Sequence, residues 1–162
     1  MRLMDTQTNA TYESHGAQFA ERYETMRGST ALFRSLFSRG ESVLDVGVGS
    51  GRDLAHLIGL GCDAWGMEPA AAFRAEATHR HPELAGRILA GSLPDDLPVE
   101  FGSTAPRVFD GITMCAVLMH IPESEFAATA EALFGLLRPG GTLLLSFCVS
   151  RPGSVRPSVS TP

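Results

Sequence analysis

The chain has 162 residues, 44% of them hydrophobic and 19% charged, with a formal net charge of −5. That length suits one domain with a substantial core, and the composition is that of a soluble globular protein. Its acidic charge is scattered, which argues against a nucleic-acid grip built on clustered Lys and Arg. Apolar runs near 112–121 and 142–149 are too short to span a bilayer, and the first fourteen residues lack the apolar core of a signal peptide. The three cysteines, Cys62, Cys115 and Cys148, lie far apart with no CxxC spacing. They read as free thiols of a reducing cytoplasm.

Taken in chain order, the pattern predicts a helix from about Ser14 to Arg27, stopped by Gly28. A second short helix, capped by Ser29 and closed by Gly40, carries Leu32, Phe33, Leu36 and Phe37. The first strand is Ser42–Val46, followed by a glycine loop and a helix from about Gly51 to Leu60. A second strand spans Asp63–Met67 and ends at Glu68-Pro69; residues 70–79 form an alanine-rich helix. Arg87–Ala90 is a weak third strand, and Gly91–Pro106 a loop with three prolines. Phe109–Cys115 reads as a buried fourth strand. The helix Glu123–Leu137 is expected to turn Phe126, Ala130, Leu133, Phe134 and Leu137 inward. After a sharp turn at 138–141, Thr142–Val149 is a strongly apolar fifth strand. Strands alternating with helices predict an α/β, doubly wound, Rossmann-like parallel sheet of about five strands with helices on both faces. The expected organisation is a helical lid over 1–40, a cofactor-binding domain over 41–149 and a disordered Pro/Ser tail over 150–162.

The stretch Val43-Leu44-Asp45-Val46-Gly47-Val48-Gly49-Ser50-Gly51-Arg52-Asp53 carries most of the chemistry. A strand that runs into alternating glycines lets backbone approach a ligand where side chains would block it. The amide groups opening the next helix face the same ligand. The spacing is GxGxG, and Arg52 stands where a dinucleotide fingerprint wants its third glycine, which weakens an NAD-dependent oxidoreductase reading. A plain tight strand–helix turn is the structural alternative. Asp45 can hold the glycine loop or pair with a ligand ammonium group. Glu68, ending the second strand, suits paired hydrogen bonds to ribose hydroxyls, with a solvated strand-end carboxylate as the alternative. If ribose lies on Glu68, then Gly91-Ser92-Leu93 marks the adenine edge. The segment 109–122 runs from the core into the same crevice.

In these segments the chain resembles the class I S-adenosylmethionine-dependent methyltransferases. VLDVGVGSGRD, the strand ending GMEP, AGSLP, FDGITMCAVLMHIP and LLRPGGTLLLSF occur in that family's order and together cover about residues 40–148. The helical leader, with Tyr12, Phe19, Ala20, Arg22 and Tyr23, looks like the lid helix of the family's small-molecule branch. The resemblance implies S-adenosylmethionine as cofactor, with Gly47, Gly49 and Gly51 along its methionine part and Asp45 near its amino group. Glu68 then takes the ribose, and Ser92 and Leu93 frame the adenine; the family often has Asp at the position of Ser92. Cys115 and Ala116 offer backbone carbonyls, and Arg22 or Tyr23 reaches the cofactor carboxylate from the lid.

The implied function is transfer of a methyl group to oxygen or nitrogen of a small molecule by in-line displacement, which requires alignment and exclusion of water but no metal. His120 is the candidate general base, with loop bracing as its structural alternative. Arg52 and Asp53 read as first-turn residues of a helix, with Asp53 favoured by the helix dipole. The family continues past the fifth strand with a helix and an antiparallel hairpin, which this chain is expected to lack. The fifth strand is then an exposed apolar edge. That leaves an alternative: a catalytically weak or silent cofactor-binding fragment that self-associates through this edge. No nucleic-acid or membrane partner is expected.

Overall fold

The computed structural model describes residues 18, 20, 21, 24, 30–98, 100, 101, 103, 105, 106 and 108–147. Helix α1 spans Thr30–Leu36, strand β1 Ser42–Val46, helix α2 Arg52–Gly59, strand β2 Asp63–Met67 and helix α3 Ala71–Arg80. Strand β3 is the short Ile88–Leu89, β4 is Phe109–Cys115, helix α4 is Phe126–Leu136 and β5 is Leu137–Ser146. The sheet order is β3-β2-β1-β4-β5, and every neighbouring pair is parallel. The order reverses at β1, so the crevice between the carboxyl ends of β1 and β4 is the topological switch point where such sheets bind ligands.

Two apolar layers hold the sheet. On one face Leu54 and Leu57 of α2 meet Val43, Ala64, Phe33 and Phe37, all buried. On the other, Leu133 and Leu136 of α4 meet Leu44, Ile112 and Met114, together with Leu93 and Ala105 from the long β3–β4 connection. In that connection Phe101 packs edge-on against Phe109, with ring centroids 5.5 Å apart. Among its described residues there is no helix; hydrophobic anchors from an irregular segment cover β1 and β2 instead. Gly111 has no room for a side chain, because the Phe37 ring lies against it.

Two expectations need correction. Phe126 and Phe134 of α4 do not face inward: they are 41% and 69% exposed, while Thr129, Leu133 and Leu136 form the buried stripe. The helix is rotated about one position from the expected face because Leu133 and Leu136 anchor it to the core layer under β4. Strand β5 also begins earlier than Thr142. It pairs Leu137 with Phe109, bulges, and resumes at Thr142 opposite Gly111. The expected sharp turn is thus a widening inside the strand, where Arg138 pairs with Asp110 and Gly140 takes φ +80°.

Candidate functional site

The carboxyl end of β1 runs directly into the glycine loop. Gly47, Gly49 and Gly51 take φ of +78°, +56° and +90°, conformations that L side chains rarely adopt. Space forbids side chains as well. A Cβ on Gly47 would overlap Val117 Cγ2, and one on Gly51 would stand 2.8 Å from Leu84 Cδ1 and 3.0 Å from Ala77 Cβ. The Gly47 amide donates to Met67 O at 2.8 Å, which ties the loop to the end of β2.

Glu68 follows Met67 and is only 5% exposed. Its Oε2 accepts from the Gly49 amide at 3.2 Å and its Oε1 from the Ala70 amide at 3.0 Å. It is therefore a fixed, buried carboxylate that bridges the glycine loop and the start of α3, and not a solvated strand end.

Asp45 is 2% exposed, and the Thr113 hydroxyl of β4 donates to its Oδ1 at 2.7 Å. Burial pushes its pKa up to about 8, reinforced by the negative charges of Asp53 and Glu68; the Thr113 hydrogen bond and the Arg52 guanidinium oppose the rise. Asp53, in the first turn of α2, is itself 7% exposed, and Arg52 grips its Oδ1 through Nε at 2.9 Å and Nη2 at 2.8 Å. Sequence reasoning treated Asp53 as a dipole-favoured first-turn residue; its burial beside Asp45 makes it part of the site's electrostatics.

Ser92 and Leu93 follow β3 in a tight loop in which Ser92 and Asp96 exchange backbone hydrogen bonds at 2.7 and 3.1 Å. Ser92 is 8% exposed, and the Leu93 side chain belongs to the core layer. Cys115 ends β4 and is partly buried. Ala116 takes φ +57°, unusual for a residue other than glycine, and its amide donates to Ser146 O at 2.8 Å. This turn swings Val117 over Gly47. His120 closes a short 3-10 turn, Leu118–His120, on the same carboxyl-end rim, half-buried. Arg22 and Tyr23 lie outside the described residues. Close to them, Ala20 is buried against Ala70 and Phe73, and Glu24 Oε1 lies 3.1 Å from His81 Nε2. The leader thus reaches the start of α3, beside Glu68. His81, just past the end of α3, joins that contact. A separate cavity of about 450 Å3 between Leu97, Pro98, Phe101 and Ala132, Gly135, Leu136 lies by the amino ends of β4 and β5, away from the glycine loop.

An open parallel sheet with a glycine cradle at its switch point and an acidic residue ending the adjacent strand defines a nucleoside-cofactor domain of the methyltransferase type. The chain matches the methyltransferase-domain family over residues 19–154 and belongs to it. It is 32% identical over 122 residues to a ubiquinone biosynthesis O-methyltransferase of Psychrobacter cryohalolentis, covering 71% of this chain and 44% of that protein. The chain thus spans less than half the length of that relative. The crystal structure of a TehB-like SAM-dependent methyltransferase from Corynebacterium glutamicum superposes with a TM-score of 0.68 at 23% identity, over 82% of this chain and 72% of that one. A SAM-dependent methyltransferase from Geobacter sulfurreducens, solved with S-adenosyl-L-homocysteine, gives a TM-score of 0.52 at 26% identity, over 72% and 44%. The fold is that of the class I S-adenosylmethionine-dependent methyltransferases.

Proposed function

We propose that this chain binds S-adenosylmethionine in the crevice between β1 and β4 and transfers its methyl group to an oxygen or nitrogen of a small molecule. The observation that carries the reading is Glu68: a buried carboxylate at the end of β2, hydrogen-bonded to the glycine loop it faces. The residues fit the group. Gly47, Gly49 and Gly51 turn the loop backbone through conformations closed to L side chains to meet the methionine part, and the buried Asp45 at the end of β1 serves the ammonium group. Glu68 takes the ribose hydroxyls, the Ser92-Leu93 backbone borders the adenine, and the carbonyls of Cys115 and Ala116 line the path of the methyl group. Methyltransferase relatives, one of them solved with S-adenosylhomocysteine, support the assignment.

Bound S-adenosylmethionine supplies a methyl group activated by a sulfonium. The protein's part is alignment and exclusion of water. Val117, held over Gly47 by the left-handed turn at Ala116, contributes an apolar wall. His120 accepts a proton where the acceptor must lose one, and Arg22 or Tyr23 of the leader meets the cofactor carboxylate. The free thiols fit a cytoplasmic setting. The test is methyl transfer from labelled donor to a panel of small hydroxy and amino compounds. Label in an O- or N-methyl product is the expected result; label found only on carbon or sulfur acceptors overturns it.

One observation favours a second reading, a cofactor-binding protein of little activity that self-associates. On the sheet side formed by β5 and α4, Leu145 is 40%, Phe147 58% and Phe134 69% exposed. Donor binding without transfer to any acceptor, by a protein that sediments as a dimer, is the outcome that selects it.

A further inference from the structure

Arg74 of α3 holds three consecutive carbonyls at the turn that carries Glu68. Its amide donates to Ala70 O at 3.1 Å, and its Nη1 donates to Glu68 O at 2.8 Å and to Pro69 O at 2.7 Å. Side chains on a helix lean towards its amino end, so an Arg one turn in falls back over the residues that lead into the helix. That is the positive end of the helix dipole, which disfavours a cation, so α3 itself gives no reason for Arg here. The turn gives one. β2 stops at Met67, and the Glu68 amide donates to Leu89 O, the last residue of β3. The carbonyls of Glu68 and Pro69 thus lie past the ends of both strands, where each needs a donor, and the partly buried Arg74 supplies it.

The same turn fixes the Glu68 carboxylate. Pro69 sets its own φ and keeps the residue before it extended. The Ala70 amide then donates to Glu68 Oε1 at 3.0 Å, while the Gly49 amide donates to Oε2 at 3.2 Å. We propose that Arg74 is a positioning residue for Glu68. By clamping the Glu68 and Pro69 carbonyls, its guanidinium sets where the Ala70 amide stands and, through that amide, how the carboxylate faces a ribose. Ala70 is fully buried against Phe73 and Ala20 of the leader, so loss of the clamp loosens the turn without dissolving it. The inference rests on the cofactor reading above and adds a specificity-determining residue to it. Arg74 touches only backbone in this role and acts on the ligand through Glu68.

Calorimetry with S-adenosylhomocysteine and with its 2′-deoxyribose analogue reads the effect, since only the first presents both ribose hydroxyls. The wild type is expected to prefer S-adenosylhomocysteine by about tenfold, the size of one hydrogen bond to a charged group. Arg74→Met keeps an apolar stem and removes the donors; it is expected to cut that preference to within about threefold while the protein stays folded by circular dichroism. A merely structural role weakens both ligands equally and leaves the preference as it was. In a Glu68→Gln background, Arg74→Met is expected to change affinity by no more than about twofold, because both substitutions act on one contact; independent roles give losses that multiply. If Arg74→Met does not fold, Arg74→Lys decides, since its ammonium donates from a shorter stem without the guanidinium fork. A preference between wild type and none supports the proposal, and the full wild-type preference overturns it. An unmoved preference in folded Arg74→Met, or multiplying losses, overturns the inference alone. Absence of binding by folded wild type, or equal binding of the two ligands, overturns the cofactor reading at Glu68 and the inference with it.

Discussion

Gly47→Ala probes the cradle at its tightest point. The backbone there has φ +78°, and a Cβ would overlap Val117 Cγ2 while standing 3.6 Å from Val117 Cβ. A left-handed conformation costs a side chain about 1–2 kcal/mol. Forcing a methyl group into filled space adds about 1–3 kcal/mol, and the β-branched Val117 has few rotamers with which to retreat. Alanine restricts the unfolded chain relative to glycine and returns about 0.4–1 kcal/mol. The net loss is about 1–5 kcal/mol, a large share of the ~5–15 kcal/mol by which such domains are stable. Urea unfolding of Gly47→Ala, Val117→Ala and the double variant measures it. Val117→Ala removes the overlapping methyl, so the double variant recovers the packing part of the loss while the backbone strain remains. A Gly47→Ala variant within about 0.5 kcal/mol of wild type would refute the argument. So would losses in the double variant that simply add.

Two further outcomes follow from the same geometry. Ala116 is exposed at φ +57°, so Ala116→Gly is expected to be neutral or stabilising by up to about 1 kcal/mol, whereas an ordinary Ala→Gly change costs ~0.5–1 kcal/mol; a loss of the ordinary size in thermal unfolding contradicts it. Asp45 holds its proton up to about 8 when folded against 3.8 when unfolded, so between those values the folded state binds the extra proton and stability falls as pH rises. The slope approaches about 1.4 kcal/mol per pH unit at most. Asp45→Asn keeps an acceptor for Thr113 and is expected to flatten that slope in urea midpoints measured across the window; an unchanged slope assigns the linkage elsewhere. Asp110 works in the opposite sense. Its carboxylate accepts from the Ser42 amide and hydroxyl and lies beside Arg138, which lowers its pKa, so its contribution is present above the ordinary carboxylate value and lost in acid.

The strands nearest the site were legible because burial on both faces leaves them largely apolar between turn and glycine signals: Ser42–Val46, Asp63–Met67 and Phe109–Cys115 have the bounds expected from sequence. The glycine loop was legible because only glycine tolerates φ +78° and +90° beneath Val117 and Leu84. Glu68 was found through its position, but the amides it binds are set by how the loop folds back, which no local pattern encodes. The face of α4 was misjudged because Phe126 and Phe134 are as apolar as Leu133 and Leu136, and the choice between the two stripes is made by tertiary packing. Asp53 was missed for a related reason: a first-turn Asp looks the same whether it meets solvent or a buried neighbour. The Arg138–Gly141 segment carries turn residues, yet pairing with β4 and the Asp110 contact keep it in the strand.

The central claim is that Glu68 and the glycine loop form a nucleoside-cofactor site, and calorimetric titration of wild type and Glu68→Gln with S-adenosylhomocysteine tests it most directly. The account predicts one-to-one binding by wild type and a loss of at least about tenfold in the variant, in line with a charge-assisted hydrogen bond worth ~1.5–3 kcal/mol. Equal affinity of the two folded proteins, or no binding by either, would contradict it.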